Sequence, residues 1–257
     1  MEPFAYLQPD RARIRLTGAD RAAFLHNMTT NDIKGLAPGA ACQAVVVNQR
    51  AGILDWVTVE AGADEHWVTG SPGKAAELMA WLDRYLITED VQLEDHTGEM
   101  PVWTLSDGRF ALGAKPEGAR EVTADEFEAW RLAEGLPCVG KDLTDARNPW
   151  EGRLDGSVSL AKGCYLGQEI VARLNAYDKV QRYLVGLRGA IAEGEKLFDA
   201  DREVGYVSSV HGEIGLGFAK AAHAAAGTRL TTASGQVVTV EDRPFWAGKT
   251  RAVTFAT

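Results

Sequence analysis

The chain has 257 residues, 46% of them apolar and 25% charged, with 27 glycines and a net charge of −9. Those proportions exclude a disordered or collagen-like chain, and the length allows one large or two modest domains with a real core. No apolar run approaches the roughly 20 residues of a membrane span, and Met1-Glu2-Pro3-Phe4 opens no secretory signal, so a soluble cytoplasmic protein is the expectation.

Residues 11–16 alternate polar and apolar side chains, which predicts a half-buried strand. Gly18 turns the chain, and Asp20 is placed to cap a helix through Phe24, Leu25 and Met28. Residues 44–48 and 53–59 read as strands joined by a turn at Gln49-Arg50-Ala51-Gly52, with a third short strand at 66–68. Ser71-Pro72 then opens a helix to about Leu86, with serine as cap and proline in the first turn. Residues 91–93 and 102–105 are further strands. Thr123-Ala124-Asp125-Glu126 forms a capping box, and Gly135 ends the helix it starts. This irregular alternation predicts an α+β fold rather than a doubly wound parallel sheet. After Val180 the character changes to short strands with Gly-rich turns, at 183–187, 204–210, 214–218, 230–232 and 237–240. That tail predicts a small antiparallel barrel, with a boundary between domains 1–185 and 186–257.

The three cysteines, Cys42, Cys138 and Cys164, sit at irregular separations and describe neither a disulfide framework nor a four-thiolate metal site. The five histidines show no ligand spacing either, so no metal site is expected of this chain. Residues 51–140 carry 18 acidic and 6 basic side chains, which argues against direct nucleic-acid binding. Residues 141–188 carry 8 basic and 6 acidic side chains, a balance that suits a small anionic ligand. Gly248-Lys249-Thr250 imitates the end of a phosphate loop, but Arg243 stands where that loop needs glycine. There is no G-x-S-x-G for a serine hydrolase.

The octapeptide Lys162-Gly163-Cys164-Tyr165-Leu166-Gly167-Gln168-Glu169 is the most distinctive segment. Gly163 and Gly167 permit turns and close backbone approach, and Gln168-Glu169 precede an amphipathic run from Ile170. A thiol near a helix start with Lys162 beside it reads as a thiolate nucleophile, or as a cysteine packed in a turn.

The octapeptide resembles the K-G-C-Y-x-G-Q-E signature of YgfZ-type proteins. These are folate-binding relatives of the glycine-cleavage T-protein (aminomethyltransferase) that act in iron–sulfur cluster assembly and repair. Gly18-Ala19-Asp20-Arg21, Phe24-Leu25 and Thr30-Asn31-Asp32 are similar to the family's opening, and Gly52-Ile53-Leu54-Asp55 to its G-x-x-x-D hairpin. Arg131 to Pro137 resembles R-x-x-x-G-x-P, with Asn148-Pro149-Trp150-Glu151 ahead of the signature.

The resemblance implies two α+β lobes around a channel, a terminal barrel, and tetrahydrofolate or a C1-substituted folate as cofactor. It places Asp55 beside the folate nitrogen and Cys164 as the functional thiol, and adds Lys162, Tyr165, Gln168, Glu169 and Arg173 as candidate cofactor-binding residues. It implies iron–sulfur enzymes or assembly proteins as partners, with an indirect role in tRNA modification. A tetrahydrofolate-dependent aminomethyl- or methyltransferase is the alternative. One departure bears on it: the T-protein's R-x-E-x-G carboxylate slot holds Ala133, and the acid moves to Glu134.

Overall fold

In the computed structural model, which describes residues 2–177, 179–243 and 253–255, the first two strands enter different sheets. Strand β1 (Phe4–Leu7) belongs to one, and β2 (Arg11–Thr17), the alternating stretch, to the other. Helix α1 (Arg21–Met28) follows with Asp20 at its N-cap position, but that side chain makes no capping bond. Its carboxylate instead accepts the Asp90 backbone N–H at 2.9 Å, a tertiary contact that outcompetes the local one. Strands β3 (Ala41–Val47), β4 (Ile53–Ala61) and β5 (His66–Pro72) form an antiparallel meander.

Strand β5 runs past the expected third strand and takes up Ser71 and Pro72, which therefore open no helix. The serine hydroxyl is committed to Asp55, and the chain turns at Gly73, whose φ is 71°. Helix α2 (Ala75–Asp83) begins only after Lys74. With β6 (Gln92–Asp95) the sheet has the order β3-β4-β5-β2-β6. One of its faces buries Ile14, Leu16, Val57, Val59 and Val68 against Phe24 and Leu25 of α1 and Leu78 and Leu82 of α2.

Strands β7 (Val102–Leu105), β8 (Phe110–Leu112) and β9 (Arg120–Glu121) build the second sheet around β1. Helix α3 (Ala124–Glu134) carries the expected capping box, with Thr123 Oγ1 accepting the Glu126 N–H at 3.2 Å and Glu126 Oε2 accepting the Thr123 N–H at 2.9 Å. Gly135 closes it in the left-handed region at φ 72°. Phe127 and Trp130 of α3 pack with Phe4 of β1 and Ile53 and Trp56 of β4 in a second core. Strand β4 is thus buried on both faces, and it is the strand that carries Asp55.

After helix α4 (Gln168–Ala176) the chain enters a closed barrel of order β10-β13-β12-β11-β14-β15. Its strands are β10 (Arg182–Arg188), β11 (Lys196–Asp199), β12 (Arg202–His211), β13 (Ile214–Lys220), β14 (Arg229–Thr232) and β15 (Val237–Glu241). Leu187, Leu197, Val207, Leu230, Val238 and Val240 fill its interior. The stretch expected as the barrel domain starts inside β10, and its last strand leaves the barrel. Strand β16 (Val253–Phe255) pairs parallel with β8 in the second sheet. Gly248-Lys249-Thr250 lies outside the described residues. The molecule is a mixed α+β protein with a C-terminal six-stranded barrel, as expected. Among the described residues, no helix is long and apolar enough to cross a membrane.

Candidate functional site

Asp55 sits next to the bulge where β3 and β4 change register, and it is 1% exposed. Its Oδ1 accepts the Ser71 hydroxyl at 2.6 Å and the Trp56 N–H at 2.8 Å, and its Oδ2 accepts the Ser71 N–H at 3.0 Å. The neighbouring residue must be glycine: a Cβ on Gly70 would lie 2.5 Å from Asp55 Oδ2. On the other side of Gly70, Arg11 donates to its carbonyl at 2.6 Å and to Gln8 Oε1 at 2.8 Å, with the guanidinium 4.5 Å from the Phe110 ring centre. Burial pushes the Asp55 carboxyl above the usual range, against the opposing pull of the Ser71 and Trp56 hydrogen bonds and of Arg11. Burial likewise lowers Arg11 to about 10. A buried carboxyl shifted upward in this way can exchange a proton with a basic atom placed beside it.

Asp55 and Leu54 form one wall of a cavity of about 290 Å³ whose other wall is α2. Lys74, Glu77, Leu78, Trp81 and Arg84 line it at helical three- and four-residue spacing, so they share one face. Lys74 pairs with Glu77. The Trp81 indole lines the cavity, and its buried Nε1–H has no acceptor. A second cavity of about 270 Å³ shares Leu54, Lys74 and Glu77 and is closed by Val139, Gly140, Leu143, Thr144 and Asp145. Each lies near the lower bound of about 300 Å³ for small-molecule sites, and joined they fall inside the usual range. Sequence reasoning missed this face of α2. The spacing of residues 74, 77, 78, 81 and 84 within the expected helix was the available signal, but spacing marks a face without saying that Asp55 lies opposite it.

The octapeptide is placed elsewhere. The buried ammonium of Lys162 donates to the carbonyls of His26, Thr29 at 2.6 Å and Asn31 at 2.9 Å, at the end of α1. Burial lowers it to about 8. Tyr165 packs with Ala51, Trp150 and Val171, and burial pushes its hydroxyl up to about 12. Gly167 is left-handed at φ 81°, and a Cβ there would meet the Asn48 carbonyl at 2.6 Å. Gln168 is half-buried, whereas Cys164, Glu169 and Arg173 are exposed. None of these residues lines either of the two cavities. The two regions touch through the turn between β3 and β4, where Ala51 packs on Tyr165 and Asn48 meets Gly167. Lys162→Met is expected to cost about 2–3 kcal/mol in urea unfolding, because buried carbonyls lose their donor. A cost under about 0.5 kcal/mol would show that solvent satisfies those carbonyls equally well.

Cys42 and Cys138 are half-buried; burial pushes Cys42 up to about 11 and raises Cys138 as well. No group of three or more metal-ligating side chains occurs among the described residues.

Arg131, from the R-x-x-x-G-x-P segment, is a clamp. Its guanidinium donates to Asp142 Oδ2 at 3.0 Å, to the Leu136 carbonyl at 3.1 Å and to Ser209 Oγ of β12 at 3.0 Å, and it also pairs with Glu128. Asp142 in turn accepts Ser209 Oγ at 2.7 Å, the Cys138 N–H at 2.8 Å, and Ser208 Oγ. The network ties α3 to the barrel through the segment that closes the second cavity. Ala133, two residues along α3, is exposed, and Glu134 is half-buried.

Residues 10–106 match the family model described as the GCVT N-terminal domain. A chloroplastic candidate transferase of Arabidopsis thaliana is 27% identical, over 91% of this chain and 69% of its own length. An aminomethyltransferase of Herpetosiphon aurantiacus is 25% identical, over 77% of this chain and 72% of its own. The crystal structure of glycine cleavage system aminomethyltransferase T from Bartonella henselae shares the fold, with a TM-score of 0.82 at 18% identity over 97% of this chain and 88% of that one. Residues 10–106 are thus similar to the GCVT N-terminal domain, the chain is similar in sequence to aminomethyltransferases, and it shares the fold of glycine cleavage system aminomethyltransferase T.

Proposed function

We propose that the chain binds a reduced folate, tetrahydrofolate or a C1-substituted form, in the cavity between β4 and α2. The observation that carries this reading is Asp55, a buried carboxyl fixed by three hydrogen bonds at the wall of a largely apolar cavity. The residues present fit such a ligand. Leu54, Leu78 and Trp81 offer apolar and aromatic surface to a flat ring. When bound, a folate supplies nitrogens able to carry a C1 unit. Asp55 orients the ring through its carboxyl oxygens and can exchange a proton with it, and the cavity walls exclude water. Calorimetry with tetrahydrofolate tests the reading: saturable binding is expected, and no heat at millimolar ligand would remove it.

The finer role is that of an accessory protein for iron–sulfur cluster assembly or repair, with Cys164 as the functional thiol. It is supported by the resemblance of residues 162–169 to the YgfZ signature and by the exposure of Cys164 beside two half-buried cysteines. Cys164 is expected to alkylate at least tenfold faster than Cys42 or Cys138 at pH 7.5, about the ratio that access and thiolate character allow. Mass spectrometry of a time course reads it, and equal rates would detach Cys164 from the proposal. A Cys164→Ser variant that fully supports iron–sulfur enzymes in cells would do the same.

The second reading is a tetrahydrofolate-dependent aminomethyl- or methyltransferase, favoured by the aminomethyltransferase names of the relatives. Ala133 leaves the R-x-E-x-G slot without a carboxylate, so no turnover of an aminomethylated lipoyl donor is expected. Steady production of methylene-tetrahydrofolate would promote the transferase reading.

A further inference from the structure

A third and smaller cavity, of about 70 Å³, lies beside α3 where the chain passes from one sheet to the other. Gln8, just past β1, and Arg11, at the start of β2, line it, and Trp56, Phe127, Leu136 and Pro137 give it flat apolar walls. Gln8 and Arg11 are 8% and 7% exposed, so both are more than nine-tenths buried. Each nevertheless has a nitrogen left over. Arg11 spends Nε on Gln8 Oε1 and Nη1 on the Gly70 carbonyl, and its Nη2 has no partner among the described residues. The first of those bonds also orients the Gln8 amide. Because Arg11 Nε only donates, the amide oxygen faces it, accepting the Thr104 hydroxyl as well, and the Nε2 amino group is left without a partner among the described residues. Both free nitrogens keep accessible surface, unlike the sealed Trp81 Nε1–H. The other polar side chains of the wall are engaged: the Ser71 hydroxyl with Asp55, and the Arg131 guanidinium with Asp142, Ser209 and Glu128. What the cavity offers is therefore N–H donors and a positive charge.

We propose that this cavity binds a small monocarboxylate, of the size of formate or acetate, between Arg11 Nη2 and the Gln8 Nε2 amino group. Three features select that class. A guanidinium and a primary amide are both planar donors, and together they match the two oxygens of a planar carboxylate. A single guanidinium calls for a single negative charge. Burial lowers Arg11 only to about 10, so it stays charged at neutral pH, and Asp55, the acid that faces it across Gly70, makes its hydrogen bonds to Ser71 and Trp56 instead. The volume is several times the roughly 10–15 Å³ that one water needs, which admits a group of a few heavy atoms and excludes a branched chain. The site goes beyond the folate reading and does not depend on it.

Saturation-transfer NMR of formate and acetate, at constant ionic strength near neutral pH and with no folate present, tests the site. Wild type is expected to saturate with either acid in the millimolar range, and trimethylacetate, too bulky for the cavity, to bind at least about tenfold more weakly. That comparison needs no variant. The deciding substitution is Gln8→Glu. It keeps an oxygen for Arg11 Nε and for Thr104, so the fold is retained, which circular dichroism verifies. It also puts a negatively charged acceptor where the free amino group stood, and acetate affinity should fall at least about tenfold. No saturable signal from formate or acetate in wild type up to about 100 mM would overturn the proposal. Equal acetate affinity in wild type and Gln8→Glu would overturn it as well, and so would trimethylacetate binding as tight as that of acetate, since either result puts the anion outside this cavity.

Discussion

An Arg131→Met variant is expected to unfold with about 3–5 kcal/mol less stability than wild type, the cost of stranding a buried charge. Arg131 and Asp142 are 5% and 0% exposed at their side chains, so water does not replace the lost guanidinium. Asp142 would keep only two serine hydroxyls and the Cys138 N–H, which are dipoles rather than a counter-charge. The double variant Arg131→Met, Asp142→Leu should recover a large part of the loss, because it removes the stranded charge as well. Urea unfolding of the three variants completes the cycle. A single-variant loss below about 1 kcal/mol would show that the barrel is held to α3 by packing, with the ion pair incidental.

The capping box at Thr123 and the left-handed Gly135 were legible in the sequence, because both depend on atoms within a few residues of each other. The barrel strands were legible for a similar reason, since alternation and turn residues are local. Ser71-Pro72 was not. It has the composition of a helix start, yet Ser71 spends both its N–H and its hydroxyl on Asp55, sixteen residues away, and stays in β5. Strand β1 escaped notice because its partners are β7 and β9, about a hundred residues downstream, and no short pattern announces such pairings. Strand β16 has the same character, lying beyond the barrel yet pairing with β8.

The candidate site divides along the same line. Asp55 was expected from its hairpin and the family resemblance, and it lines a cavity. The opposite wall was not legible, because the tertiary packing of α2 across β4 sets which helix face meets Asp55. Lys162 was expected among the cofactor-binding residues, but its ammonium donates to three backbone carbonyls at the end of α1, a demand created only by the tertiary fold.

Asp55→Ala is expected to lower reduced-folate affinity ten- to hundredfold, about the value of a charge-assisted hydrogen bond. That substitution also leaves the Ser71 N–H, the Ser71 hydroxyl and the Trp56 N–H without their acceptor, so a drop in binding could reflect a disturbed β4. Asp55→Asn keeps the shape and one acceptor oxygen, and its comparison with wild type isolates the titration of the carboxyl. Burial raises Asp55 above its ordinary value of 3.8 in the folded chain. Between that value and the folded one, the native state holds a proton that the unfolded chain releases. Wild-type stability from this group therefore falls as pH rises from about 4, and the fall ends once the folded carboxyl is ionised. The Asn variant has no such titration. The stability of Asp55→Asn relative to wild type should consequently climb with pH over that window and then level off, whatever its starting offset. Parallel urea unfolding series across pH, subtracted pairwise so that every other titrating group cancels, measure this slope. A slope of opposite sign would mean that the three hydrogen bonds and Arg11 outweigh burial, leaving an ionised Asp55 that accepts a proton from the ligand and has none to offer.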